Sequence, residues 1–318
     1  MRYLVTGAGG FIGGAVADRL IRSGNECVTI DNFSTGSRQR VPKDCTLLEG
    51  NTFDENVIEK LTSMQKFDAV IHIAGQSSGE VSFYDPLYDL QTNVQSTLLL
   101  LNFAVKTGVK KFVYAGSMSV YGDPPPDAAC CTEKFPTVPK SFYAVGKLAS
   151  ENYMRIFAQH YGLCCTSLRF FNVYGVGQNL DNLRQGMVSI YLAQALVNHH
   201  IDVKGSLNRF RDLVYIDDAV ESVIAAINRN CGMEIFNVCT QIPTKVSDMI
   251  DAIRQNLNFP VTVSVTQETP GDQFGIYGSF AKIAESLNWQ PKIKFDVGIK
   301  LMTQWAAKNL SERKSFQQ

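Results

Sequence analysis

Tyr143 and Lys147 stand four residues apart at the start of a long helical pattern, Tyr-Ala-Val-Gly-Lys. On a helix that spacing stacks both side chains on one face. A free tyrosine has a pKa of about 10, and bringing it to about 7 takes roughly 4 kcal/mol of preference for the phenolate. One ammonium about 5 Å away at an effective dielectric of about 20 supplies roughly 3 kcal/mol of that. A second positive charge, such as an oxidised nicotinamide ring, completes the shift. Tyr143 is then a general base able to take a proton from an alcohol near neutral pH. The same spacing also occurs on plain helix surfaces, so its neighbours decide. Ser117 ends an apolar strand that begins at Lys111 and could hydrogen-bond the reacting hydroxyl, although serine at a strand end often only caps a turn.

The chain that must place these groups opens with Arg2 to Thr6, then Gly7-Ala8-Gly9-Gly10-Phe11-Ile12-Gly13, then an amphipathic pattern to Ser23. Strand, glycine turn and helix in that order make a cradle for a pyrophosphate, with Gly7, Gly10 and Gly13 at the positions where backbones must approach closely. The second strand ends in Asp31-Asn32. An acid there can accept from the hydroxyls of an adenosine ribose and repels a 2′-phosphate, which favours NAD over NADP. Arg38 and Arg40 follow and are the residues that could hold such a phosphate. Later strand ends carry Gly50-Asn51-Thr52, Ala74-Gly75-Gln76 and Phe170, and a helix from Asp85 to Lys106 carries Asn93. With Phe11, Ile12, Tyr143 and Lys147, these complete the candidate cofactor site. His72, inside Val70-Ile71-His72-Ile73, reads as a satisfied structural histidine. Gln76-Ser77-Ser78-Gly79-Glu80 reads as a polar loop suited to recognising hydroxyls. Glu80 there reads as a solvated charge before an extra base.

Apolar strands alternating with helices up to Phe170 predict an α/β fold, a right-handed, doubly wound parallel sheet. Beyond Phe171 the pattern loosens into a smaller mixed α/β lobe. The expected division is a dinucleotide-binding domain over 1–171, with segments near 213–240 packing back on it, and a substrate lobe over 172–318. Thirty basic residues balance thirty acidic ones, and no basic run tracks a phosphate backbone, so nucleic acid is not an expected partner. No apolar run is long enough to span a membrane and Met1 leads straight into a strand, which predicts a soluble, cytoplasmic protein. The eight cysteines lack a Cys-x-x-Cys spacing and read as reduced thiols; no metal site is expected.

Gly7-x-x-Gly10-x-x-Gly13, Asp31, Ser117, Tyr143-x-x-x-Lys147 and Arg169-Phe-Phe-Asn172-Val-Tyr-Gly175, in this order, resemble the extended short-chain dehydrogenase/reductase family. Arg211-Asp-Leu-Val-Tyr-Ile-Asp-Asp218 and Pro270-Gly271-Asp272 add marks of its nucleotide-sugar epimerase and dehydratase branch. The resemblance implies an NAD-binding Rossmann domain, a carboxyl-terminal lobe for a nucleotide sugar, and a homodimer through the helices near 85–106 and 143–161. It makes Tyr143 the base, Lys147 its activator and a ribose contact, and Ser117 the group that polarises the sugar hydroxyl. Ser77, Ser119, Asn172, Arg211 and Asp272 then complete the substrate site with Ser117 and Tyr143. The chemistry implied is removal of the C4 hydroxyl proton and hydride, giving a 4-keto sugar and bound NADH, and return of the hydride on the other face. Alternatives are a net 4-dehydrogenase or 4-keto reductase, then a 4,6-dehydratase or decarboxylase. The family's dehydratases carry Asp-Glu directly after the hydroxyl residue and its decarboxylases an acid at the place of Ser119, whereas this chain has Met118-Ser119. A catalytically idle NAD-sensing protein would have lost Ser117, Tyr143 or Lys147. Two departures from the pattern stand out: Thr269 replaces an arginine before Pro-Gly-Asp, leaving Arg209 or Lys204 to supply that charge, and Asn51 replaces an aspartate. Ile276 falls where the family's gatekeeper beside the sugar C2 substituent is expected.

Overall fold

β1 (Arg2–Thr6) is buried along nearly its whole length, as a strand with helices on both of its faces must be. The structure, a computed structural model, describes residues 1–124, 130–229, 232–267 and 273–315. After β1 come α1 (Phe11–Arg22), β2 (Glu26–Asp31), β3 (Thr46–Glu49), α2 (Glu55–Thr62) and β4 (Ala69–His72). Next are α3 (Gly79–Tyr84), α4 (Pro86–Leu90), a π turn (Gln91–Gln95) and α5 (Ser96–Thr107). β5 (Lys111–Ser117), α6 (Phe142–Tyr161) and β6 (Cys164–Phe170) follow. The rest of the chain forms β7 (Asn172–Tyr174), α7 (Met187–Asn198), β8 (His200–Lys204), β9 (Phe210–Tyr215), α8 (Ile216–Ile227) and β10 (Met233–Val238). It ends with β11 (Pro243–Lys245), α9 (Val246–Gln255), β12 (Thr262–Thr266), β13 (Gly275–Ile276), α10 (Ala281–Leu287) and α11 (Phe295–Ser315).

Seven strands form one parallel sheet in the order β3-β2-β1-β4-β5-β6-β10. The order reverses between β1 and β4, which opens a crevice at their carboxyl ends. Along β1, Tyr3 and Val5 pack to one side with α1 and α8, and Leu4 to the other with α2 and α5. This is the expected doubly wound α/β sheet. β10 returns from the later half of the chain to pair with β6, Met233 beside Cys165 through Val238 beside Phe170. The smaller lobe holds β11-β9-β13 with β7 also on β9, and the pair β12-β8. Its apolar residues, among them Tyr191, Leu192, Tyr215 and Trp289, join the core cluster that includes Tyr3 and Val5.

Two local expectations differ from what is found. The helix anticipated over 85–106 is interrupted by the π turn. There the Asn93 carbonyl accepts from the hydroxyls of Thr97 (2.7 Å) and Ser150 (2.7 Å), which compete for the group that would close a regular α-turn. The polar stretch 76–80 is a loop only as far as Ser78, whose hydroxyl caps α3 at Val81 N.

α6 is capped by Ser141, which accepts from Ala144 N at 3.2 Å, and closed by Gly162 in the left-handed region at φ +65°. Glu151 continues the helical stripe that begins with Tyr143 and Lys147, and its buried carboxylate holds Arg169 through Nη2 at 2.6 Å and Nε at 3.0 Å. Arg169→Leu would strand that carboxylate in the core. The expected cost is about 3–5 kcal/mol, read as a fall in the urea unfolding midpoint.

Candidate active site

The carboxyl ends of β1, β2, β4, β5 and β6 and the start of α1 wall one cavity of about 600 Å³, which the smaller lobe completes. Apart from Gln76, Asn93, Asp272 and the expected gatekeeper Ile276, every cofactor, catalytic and substrate residue assigned from the sequence lines it. Asp272, with Thr269 and the rest of the Pro-Gly-Asp segment, lies outside the described residues.

The dinucleotide end is built from backbone. Gly7 has φ +78°, and a side chain there would stand 2.9 Å from Ala74 N; a side chain at Gly13 would collide with the Gly7 carbonyl. Gly10 precedes α1 with no side-chain cap and no acid follows in the first turn, so the helix amides and dipole face the cavity open to an anion. Asp31 accepts from Gly9 N through Oδ2 and from Phe33 N through Oδ1, both at 2.8 Å, which leaves each oxygen a lone pair for a ribose hydroxyl. Asn32 donates to Asn51 Oδ1 at 2.6 Å beside it. Neither nearby arginine reaches this point: Arg38 pairs with Glu49 and stacks 4.9 Å over Phe33, and Arg40 lies 6.0 Å over Phe11 with its guanidinium against Gly177. The residues present fit NAD, and the cations that would select a 2′-phosphate are turned elsewhere.

At the chemical end, β5 delivers Ser117 and α6 delivers Tyr143 and Lys147. Ser119 donates to Ser117 Oγ from both its amide (3.2 Å) and its hydroxyl (2.9 Å), and Ser117 hydrogen-bonds Tyr143 in turn. Lys147 is buried, donates to the Ala115 carbonyl at 2.9 Å, and sits 4.7 Å from the Tyr114 ring centre and 5.7 Å from that of Tyr143. The sequence argument has Lys147 lowering the tyrosine. In the protein alone the opposite holds: burial pushes Tyr143 up to about 12, the Ser117 bond pulling against it and Asp89 adding to it. Burial also pulls Lys147 down to about 8 against the carboxylates of Asp89 and Glu151. For both groups desolvation outweighs the neighbours that oppose it, the Ser117 bond at Tyr143 and the two carboxylates at Lys147.

Two assigned side chains turn away from the cavity. Gln76 Nε2 donates to Ser78 O (2.7 Å) and Asp89 Oδ1 (3.0 Å), and Asn93 Nδ2 donates to Gln76 O (3.0 Å) and Asp89 Oδ1 (3.1 Å). Asn93 Oδ1 is buried without a partner, 2.5 Å from where a side chain on Gly75 would stand. Asp89 is the residue the sequence reading missed; its signal was the four-residue spacing to Asn93. Gln185 was also missed. It reaches from the smaller lobe to Ser77 Oγ at 2.7 Å and lines the cavity, as do Glu80, Arg209 and Lys204. Arg211 is buried on the wall with Nη1 donating to Phe210 O (2.8 Å) and Phe274 O (3.2 Å). Ile276 pairs with Arg211 in β13, is buried, and is not part of the cavity wall. His72 bonds Thr6 Oγ1 (2.8 Å) and Ser96 Oγ (3.2 Å), and burial takes it down to about 3, a neutral structural group.

The chain was compared with known proteins. The model of the NAD dependent epimerase/dehydratase family matches residues 3–239. A UDP-glucose 4-epimerase of Mycolicibacterium smegmatis is 32% identical over 305 residues, covering 94% of this chain and 96% of that one. UDP-glucuronic acid decarboxylase 3 of Arabidopsis thaliana is 28% identical over 306 residues, covering 95% and 88%. The crystal structure of a UDP-glucose 4-epimerase with UDP-glucose from Thermotoga maritima superposes with a TM-score of 0.92 at 30% identity, covering 98% of this chain and all of that one. The chain therefore belongs to the NAD-dependent epimerase/dehydratase family, as an enzyme of its nucleotide-sugar epimerase branch with NAD as cofactor.

Proposed function

We propose that the protein interconverts the C4 epimers of a UDP-linked hexose through a transient 4-keto sugar. The observation that carries this is the hydroxyl chain Ser119–Ser117–Tyr143 beside Lys147, with Met118 and Ser119 where an eliminating enzyme needs an acid and a base. Tyr143 takes the proton of the C4 hydroxyl, and Ser117 hydrogen-bonds the same oxygen. Lys147 stabilises the phenolate. NAD, when bound, supplies the acceptor for the C4 hydride and returns it. The 4-keto sugar turns over within the cavity, and Tyr143 gives the proton back on the other face. Ser77, Ser119 and Asn172 hold the sugar, while Arg211 grips the diphosphate with Arg209 and Lys204 nearby; Asp272 belongs to the same subsite by sequence. The relatives named above that act on UDP-glucose support UDP as the carrier.

In this reading residues 1–171 with the 213–240 segment are the NAD-binding domain and 172–318 the sugar lobe. The protein is a cytoplasmic homodimer. Support for the dimer is the apolar surface of α3, α4 and α6, where Tyr84, Leu87, Val145 and Ile156 are exposed. Among the described residues no helix is long and apolar enough to cross a membrane.

Purified protein incubated without added cofactor with UDP-, GDP-, CDP- and dTDP-sugars, followed by proton NMR, tests the reading. The C4 epimer of a UDP-hexose is expected, without lasting reduced nicotinamide. A stable 4-keto product with stoichiometric reduced nicotinamide would make the protein a dehydrogenase.

A further inference from the structure

Asp89 on α4 is 1% exposed, and nothing in the proposed reaction uses it. It does not cap its helix. Asp85 does that, accepting from Tyr88 N at 2.9 Å. Instead the Asp89 carboxylate points inward, and its Oδ1 gathers the two amides of Gln76 and Asn93 described above, one from the loop after β4 and one from the π turn. Oδ2 faces α6: a side chain at Gly146 would stand 3.2 Å from it, so the glycine lets the carboxylate approach the turn that carries Lys147. A carboxylate this deep is costly unless an opposite charge and hydrogen bonds hold it. The groups whose charge bears on it are Lys147 and Tyr143 from α6; Gln76 and Asn93 are neutral donors.

We propose that Asp89 is a positioning residue for catalysis: its charge keeps Lys147 an ammonium inside the loaded cavity, and its hydrogen bonds fix the Gly75-Gln76 turn that walls it. The proposal rests on Tyr143 and Lys147 being the base and its activator. It explains why α4, whose outer face shows Leu87 and Leu90, sends one acid inward, and why the π turn carries Asn93 to that acid. Burial raises Asp89 to about 6 and lowers Lys147 to about 8. The pair is therefore fully charged only between those values: below them the carboxylate is lost, above them the ammonium.

Asp89→Asn keeps the shape and an Oδ1 acceptor while removing the charge. In the protein as purified with its NAD, carbon-13 NMR of labelled lysines, with Lys147 assigned from Lys147→Arg, reads the ammonium directly. Its midpoint is expected to fall by about one pH unit. At about pH 8 that takes the ammonium fraction from about one half to about one tenth, so kcat falls about fivefold with KM unchanged. Asp89→Glu should restore the midpoint. A wild-type midpoint in Asp89→Asn overturns the proposal. If that variant does not fold, Gln76→Met serves: loss of one donor should move the acid limb of kcat upward, and an unmoved limb overturns the proposal. The lysine titration needs no sugar, so a moved midpoint with no nucleotide sugar turned over would refute the reaction while leaving the role of Asp89 intact.

Discussion

Tyr143→Phe is expected to lower kcat by about 10³-fold while the protein still carries its NAD. In the proposed reaction the phenol oxygen is the proton acceptor, and phenylalanine keeps the ring that lines the cavity with Ser117 and Lys147. The dinucleotide end does not depend on it, being made of the Gly7–Gly13 turn and Asp31 on other elements. KM should change little. Turnover is read by proton NMR, and NAD content by the absorbance of the released cofactor. A variant within tenfold of wild type would remove Tyr143 from the mechanism.

Lys147→Met is expected to cost about 10²-fold in kcat, the equivalent of roughly 3 kcal/mol from one ammonium about 5 Å away at an effective dielectric of about 20. Its pH profile carries the sharper signature. Burial already raises the Tyr143 phenol in the protein alone, and loss of the ammonium moves it further up. The residual rate should then climb about tenfold per pH unit through the neutral and alkaline range, where the wild type levels off and then falls as its ammonium is lost. A flat profile would mean that the lysine serves binding and not the base.

The strand and glycine pattern of the first half of the chain is plain in the sequence because β1 and β4 are short apolar runs that lead into small residues at the cavity. What the sequence does not show is governed by contacts between distant segments. The π turn depends on Ser150, 57 residues from the Asn93 carbonyl it bonds. Gln76 and Asn93 have the right types and places for cofactor contacts, yet both are captured by Asp89, whose burial no local pattern announces. The upward shift of Tyr143 has the same origin. Spacing gives the distance to a lysine, whereas the cost of desolvation belongs to the closed fold. β10 follows a helix of the later half, and its return to β6 is a matter of topology that its apolar pattern alone leaves open.

Hydride transfer at C4 by a cofactor that never leaves is the central claim. Its most direct test is a UDP-hexose with deuterium at C4, turned over by the protein as purified in ordinary water and followed by NMR. The label is expected at C4 of both epimers, with none released to solvent. Loss of deuterium to water in step with epimerisation would contradict the account, because it would mean that the hydrogen leaves carbon as a proton.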